Sequence, residues 1–418
     1  MQSCRLLRIM KKKAFLFPGQ GSQYVGMGKT LCQASQTASE LFDQASDALH
    51  LDLKKLCWDG DIATLTLSKN AQPAILTTSY AMYRVLTQEL GLRPDFLAGH
   101  SLGELSALTC AGAIKFEDAV RLVQKRGEFM SLQQGTDGAM FAVMTREIDQ
   151  IRDLCEQETD ADGIVSISNY NSNVQTVISG HRANVQRVVD ALEQREIKCR
   201  ELNVSAPFHC ALMEPAANRL EQELKNYCFS APKIPVLSNV TAMPYASAQE
   251  IASLLVQQVT KPVRWVESMK YLRRANVEYC VELGPGHVLQ SLMKRNYAEI
   301  KVFAYDEAGD PDKLKAFVEA SYIPFLSRCM GLAVSARNTC YDNDLYQQGV
   351  ITPYNRLRTM QDAVEADGRK ATEQEMLDGA QLLKTILDTK GCPAAEQAER
   401  FADLLSDSGM EQKLVLPF

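Results

Sequence analysis

The sequence predicts an α/β fold: a mainly parallel sheet covered by helices, a small inserted sheet, and a helical tail. Three observations carry this. Short apolar runs stop at glycine-bearing turns and lead into segments of helical period. A strand–helix–strand–strand–helix–strand run occupies 136–205. Beyond 305 the chain reads almost wholly as helix.

Ala14-Phe15-Leu16-Phe17 is an apolar run ended by Pro18-Gly19, so it reads as a buried strand and a turn. Residues 38–57 and 73–91 carry apolar side chains three and four apart and read as helices. Asp95 to Gly99 reads as a second strand, then a sharp turn, then a helix from about Leu102; 117–131 is another helix. From 136 the pattern changes. Strands are expected at 139–144, 164–168 and 175–180, helices at 146–158 and 182–195, and extended chain from Cys199 to Val204. This is the order of a split βαβ unit. The expected division is 12–135 with 206–305 as the large unit, 136–205 as the small one, and 306–418 as a mainly helical extension. In that extension Thr372 and Glu375 form a capping box, and Leu382, Leu383, Ile386 and Leu387 share one face before Gly391 and Pro393 end the helix. Packing is the plain reading of the extension, with partner docking as the alternative.

Composition narrows the function. The chain has 418 residues, 46% hydrophobic and 23% charged, with a formal net charge of -6. That is globular composition, with no basic stripe of the kind a nucleic-acid binder concentrates. The 12 cysteines are scattered from Cys4 to Cys392 without a CxxC pair, which fits reduced thiols in the cytoplasm better than a disulfide framework or a metal site. No signal-peptide core or membrane span is expected, and Met10 is a candidate start before Lys11-Lys12-Lys13.

Gly99-His100-Ser101-Leu102-Gly103 is the chemical centre. A GxSxG turn between strand and helix holds serine in a strained conformation with its hydroxyl exposed, and the helix N-terminus favours negative charge beside it. A serine nucleophile needs a base. The five histidines are His50, His100, His181, His209 and His287. His209 lies in the loop Ser205-Ala206-Pro207-Phe208-His209-Cys210 after a strand, a common place for a catalytic group, but spacing alone does not select it. Phe17-Pro18-Gly19-Gln20-Gly21-Ser22-Gln23 is the other notable loop. A dinucleotide reading of it fails, because GxGxxG needs glycine where Tyr24 stands. Exposed amides there could instead serve an oxyanion. Arg126 is one helical arginine among many by composition.

Taken together, FPGQGSQ at 17–23, QPA at 72–74, AGHSLGE at 98–104, RG at 126–127, NYNS at 169–172, FHCALM at 208–213, SNV at 238–240 and ELGPG at 282–286 resemble the malonyl-CoA:acyl carrier protein transacylase family. That family includes the acyltransferase domains of polyketide synthases. The resemblance implies an α/β-hydrolase-like core with an inserted ferredoxin-like subdomain. It implies Ser101 as nucleophile and His209 as base, with the backbone carbonyl of Gln258 orienting the imidazole. The amides of Gln20 and Leu102 would form the oxyanion hole. Arg126 would grip the malonate carboxylate, with Gln72, Asn169, Asn171 and Phe208 lining the substrate site. Phe208 and Leu102 resemble the variant that excludes an α-methyl group. No metal or permanent cofactor is implied: malonyl-CoA is the donor and a carrier protein's phosphopantetheine thiol the acceptor.

Residues 341–344 and 349–354 resemble the extension of freestanding acyltransferases that serve polyketide synthases, which would make carrier domains of a synthase the partner. Acidic carriers suggest a basic docking patch, with Lys69, Arg273 and Arg274 as candidates. Two rivals share much of this reading. A hydrolase clearing stalled acyl groups would keep Ser101 and His209 but not Arg126. A docking protein would tolerate loss of Ser101.

Overall fold

The computed structural model describes residues 12–131, 137–204, 206–411 and 413–418. The candidate start at Met10, Ser205 of the histidine loop, and the expected joints at 135–136 and 205 lie outside these residues. The chain divides into two compact units, Lys11–Lys313 and Leu314–Phe418.

Nine strands occur among the described residues: β1 Lys12–Phe17, β2 Phe96–Gly99, β3 Gly138–Met144, β4 Val165–Ser172, β5 Gln175–His181, β6 Lys198–Glu201, β7 Val236–Leu237, β8 Val277–Glu282 and β9 Lys301–Ala304. Five form a parallel sheet in the order β7-β2-β1-β8-β9. Its strands are apolar on both faces, as a sheet covered by helices requires: Ala14, Phe15, Leu16 and Phe17 of β1 are all fully buried. One face packs on Trp265, Met269 and Leu272 of helix Trp265–Arg274 and on Leu289, Leu292 and Met293 of helix Val288–Asn296.

The other four strands form an antiparallel sheet in the order β4-β5-β3-β6, with helices Ile148–Gln157 and Arg182–Glu193 packed on it. This chain order and spatial order make it ferredoxin-like. β4 runs four residues past the expected end at 168, because Asn169, Tyr170 and Ser172 go on pairing with β5 and the strand is also held from outside the small sheet. Val263 donates to Ser168 O at 2.9 Å and accepts from Tyr170 N at 2.9 Å. That seam ties the Asn169–Asn171 stretch to the segment just before helix Trp265–Arg274.

The expected helix over 38–57 is two helices, Gln36–Leu49 and Leu53–Trp58. His50 sits between them at φ +51°, a left-handed conformation that ends the first helix, and Asp52 caps the second through Lys55 N. The second unit has a core of its own, with Leu326, Leu332, Leu357, Leu383, Ile386 and Leu404 buried together. Its helix Glu373–Thr389 starts at the Thr372–Glu375 capping box. Among the described residues no helix is long and apolar enough to cross a membrane. Nor are three or more His, Cys, Asp or Glu grouped to hold a metal ion.

Candidate active site

The site lies at the C-terminal ends of β1 and β2, where an open parallel sheet presents its loops. β2 ends at Gly99 and helix Leu102–Cys110 begins two residues after His100, so Ser101 sits on a hairpin-sharp corner at φ +53°, ψ -107°. The corner closes only because its neighbours are glycine. A Cβ on Gly99 would lie 1.9 Å from the Gly103 carbonyl carbon, and one on Gly103 would lie 2.0 Å from Phe17 O. Gly103→Ala must therefore move β1 or open the corner. We expect a stability loss of about 1–3 kcal/mol, as in an overpacked core, with acylation of Ser101 falling further than the folded fraction. Thermal melting beside adduct formation measures both.

The corner is also tied from the side. Asn239 Oδ1 accepts from Ser101 N at 2.7 Å, and Asn239 Nδ2 donates to Gly99 O at 2.7 Å. Asn239 was legible only as a letter in the SNV string; nothing in the sequence marked it as the brace of the serine.

His209 faces Ser101. Its Nε2 is 2.8 Å from Ser101 Oγ, and its Nδ1 is 2.8 Å from the Gln258 backbone carbonyl. A carbonyl only accepts, so Nδ1 carries the proton and Nε2 is left to accept from the serine. His209 adopts φ +59°, a second strained non-glycine residue at the same point. Burial first, and then the nearby Arg126 charge, push its pKa from 6.5 down to about 3, against the pull of the Gln258 carbonyl. The neutral base thus persists far into acid. We expect the acid limb of kcat/KM, which reports the free protein, to fall well below pH 6.5; a limb at 6.5 would contradict this environment. The sign for stability is opposite. The unfolded chain takes up this proton below about 6.5 and the folded one does not, so stability is lost as pH falls from 6.5 towards about 3.

Arg126, on helix Phe116–Ser131, is buried with 2% exposure. Nη1 donates to Gln72 Oε1 at 2.8 Å, and Nη2 donates to Gln258 Oε1 at 2.9 Å and Ser101 Oγ at 3.2 Å. Its Nε has no hydrogen-bond partner among the described residues. Burial pushes its pKa down to about 10, offset by the charge of Glu104, so it remains cationic at neutral pH.

These groups open onto a cavity of about 280 Å³ lined by Gln20, His100, Ser101, Arg126, Phe208 and His209, with Asn169 and Asn171 along its far wall. His100 Nε2 is bonded to Asn171 Oδ1 at 2.8 Å, and its ring packs on Trp265. Gln72 and Gln258 are fully buried behind Arg126. Leu102 is fully buried at the first helical position and its side chain does not line the cavity, so the expected pairing of Phe208 and Leu102 against an α-methyl group reduces to Phe208. The backbone N–H of Leu102, at that position, has no intrahelical acceptor.

The structure does not bring the three candidate docking residues together. Helix Trp265–Arg274 leads straight into β8, so Arg273 and Arg274 sit at the N-terminal end of the parallel strands, opposite Ser101. Arg273 is moreover paired with Glu299 at 2.9 Å. Lys69 is exposed on the site side: the preceding Ser68 accepts from Gln20 Nε2 at 3.0 Å.

A serine bonded to an oriented histidine, beside a buried cation and a helix N-terminus, is an acyl-transfer site. Known proteins agree. Residues 14–320 match the family model described as the acyl transferase domain. A malonyl CoA-acyl carrier protein transacylase of Bacillus subtilis is 38% identical over 398 residues, 93% of this chain and 99% of the relative. That of Escherichia coli strain K12 is 42% identical over 313 residues, 74% of this chain and all of the relative. The solved malonyl CoA-acyl carrier protein transacylase of Coxiella burnetii superposes with a TM-score of 0.71 at 38% identity, over 73% of this chain and 97% of that one. A malonyl-transacylase solved with a holo type II polyketide synthase acyl carrier protein gives 0.70 at 39%, over 73% and 99%. The chain belongs to the acyl transferase domain family and, within it, to the malonyl-CoA:acyl carrier protein transacylases.

Proposed function

We propose that the chain moves a malonyl group from malonyl-CoA to the phosphopantetheine thiol of an acyl carrier protein through an ester on Ser101. The observation that carries this is Arg126: a buried cation that lines the cavity beside Ser101, with no carboxylate bonded to it among the described residues. A guanidinium so placed grips a carboxylate through parallel hydrogen bonds and rejects a neutral acyl tail. A hydrolase of neutral acyl groups has no use for it.

In the first half-reaction His209 Nε2 takes the Ser101 proton as Oγ attacks the thioester carbonyl. The oxyanion is met by the N–H groups of Gln20 and Leu102. Collapse breaks the C–S bond, and His209 returns the proton to the coenzyme A thiolate. In the second half the carrier's thiol gives His209 its proton and attacks the malonyl ester; the C–Oγ bond breaks, and His209 returns the proton to Ser101 Oγ. Each half exchanges one acyl bond for another, so no redox partner enters. Phe208 crowds the α-carbon, and discrimination against one added methyl is worth roughly 1–3 kcal/mol. Asn169 and Asn171, from the small unit 136–205, line the approach to a nucleophile held by the large one.

The acceptor we favour is a carrier domain of a polyketide synthase. Two Bacillus subtilis transacylases are similar to this chain, one aligned over 398 residues and one over 312. The longer alignment takes in the helical extension, which supports a partner other than the fatty-acid carrier. The eleven free cysteines among the described residues fit a reducing cytoplasm.

The test is intact-protein mass spectrometry after brief mixing with equal malonyl-, methylmalonyl- and acetyl-CoA. A malonyl adduct on Ser101 that disappears on addition of holo carrier protein is expected. Free malonate in place of malonyl-carrier would make the chain a hydrolase. Comparing kcat/KM on fatty-acid and polyketide carriers then tests the pathway.

A further inference from the structure

We propose that Glu104 is a positioning residue: through Asn239 and Gln258 it holds the nucleophile, the base and the carboxylate clamp in one frame. The proposal rests on the malonyl transfer proposed above. Glu104 is fully buried one turn after Ser101, where an ionised carboxylate is costly unless every lone pair is met. The groups bonded to it all donate. Tyr245 OH donates to Oε1, and Gln258 Nε2 at 2.6 Å and Asn239 N at 3.1 Å both donate to Oε2. That set suits the ionised form. Burial raises the Glu104 pKa, and the bonds from Tyr245, Gln258 and Asn239 lower it again.

Each arm reaches a reacting group. The Asn239 side chain braces Ser101 N and Gly99 O, so anchoring its backbone anchors the serine corner. The Gln258 amide lies between an acceptor-only carboxylate and a donor-only guanidinium. Only one orientation satisfies both: Nε2 to Glu104 and Oε1 to Arg126 at 2.9 Å. The same Nε2 donates to Ser101 O at 3.0 Å, and the same residue's carbonyl orients His209. Without the carboxylate the amide loses its shortest bond, and only the Ser101 carbonyl and Arg126 still hold it in that orientation.

The arrangement also solves a charge problem. A buried guanidinium needs a counter-charge, yet a carboxylate touching it would compete with malonate. Glu104 supplies the charge from behind the Gln258 amide, bonded to that amide and not to Arg126, which still lines the cavity.

The experiment compares wild type, Glu104→Gln and Tyr245→Phe for kcat/KM on malonyl- and acetyl-CoA with holo carrier protein, alongside melting temperature. Glu104→Gln is expected to lose about 100-fold on malonyl-CoA, the scale of an ångström misplacement, with a smaller loss on acetyl-CoA. Tyr245→Phe touches none of Ser101, His209 or Arg126. It should lower the malonyl-to-acetyl ratio about 10-fold, the worth of one hydrogen bond to a charged group. A ratio unchanged in both variants overturns the proposal and leaves Glu104 a packing residue; if Glu104→Gln does not fold, Tyr245→Phe decides alone. Wild-type protein that forms no malonyl adduct fails at the transfer reaction instead, and this inference falls with it.

Discussion

Ser101→Ala is expected to form no malonyl adduct and to lose on the order of 10⁶-fold in kcat, the scale of removing a nucleophile from a serine–histidine unit. The geometry makes this a clean test. The strained corner is held by backbone groups, with Asn239 bonded to Ser101 N and Gly99 O, and alanine keeps both. The corner needs glycine at 99 and 103, where any Cβ would collide, whereas position 101 already carries a Cβ. What is lost is Oγ, which lies 2.8 Å from the base and 3.2 Å from the guanidinium. The variant should therefore melt like wild type and still bind malonyl-CoA through Arg126. Mass spectrometry and titration calorimetry on one preparation separate the two. Substantial turnover in this variant would remove the covalent mechanism, and with it the role assigned to His209 Nε2.

The parts of this site that carry a sequence signal are those imposed by local sterics. A short apolar strand, a glycine on each side of a serine, and a helix after it can be read from letters alone, and Gly99 to Cys110 folds as those letters imply. The break at His50 could not be read, because a left-handed residue that is neither glycine nor asparagine has no marker. Nor could the groups that act through their backbone. The carbonyl of Gln258 that orients His209 exists at every residue, and only resemblance singled it out. Arg126 looked like any helical arginine, since its distinction is burial between Gln72 and Gln258, residues 54 and 132 positions away. Arg273 and Arg274 failed as docking candidates for the converse reason. Charge is visible in a sequence, but which end of a parallel strand it falls on depends on chain direction through the sheet. The Glu104–Gln258–Asn239 frame combines both difficulties, joining residues 154 and 135 positions apart through atoms with no local pattern.

Arg126→Ala should convert a malonyl-selective site into one that takes neutral acyl groups. In wild type the guanidinium is already desolvated, so a malonate carboxylate entering the cavity meets a cation held by the neutral groups of Gln72, Gln258 and Ser101. Removing it leaves the substrate charge buried without a partner, at about 2–5 kcal/mol, or roughly 30- to 4,000-fold in kcat/KM for malonyl-CoA. Acetyl-CoA has no carboxylate to strand and gains room, so its kcat/KM should hold or rise. A second consequence follows from His209, whose pKa is held down partly by the Arg126 charge. Without that charge the imidazole becomes easier to protonate, so the acid limb of the residual activity should move up in pH. Lysine at 126 would restore charge without the planar fork and should recover only part of the selectivity. Competition between malonyl- and acetyl-CoA, read as the ratio of adducts on Ser101, measures the switch directly. An unchanged ratio together with an unmoved acid limb would show that the carboxylate is held elsewhere in the cavity, with Asn169 and Asn171 the next groups to change.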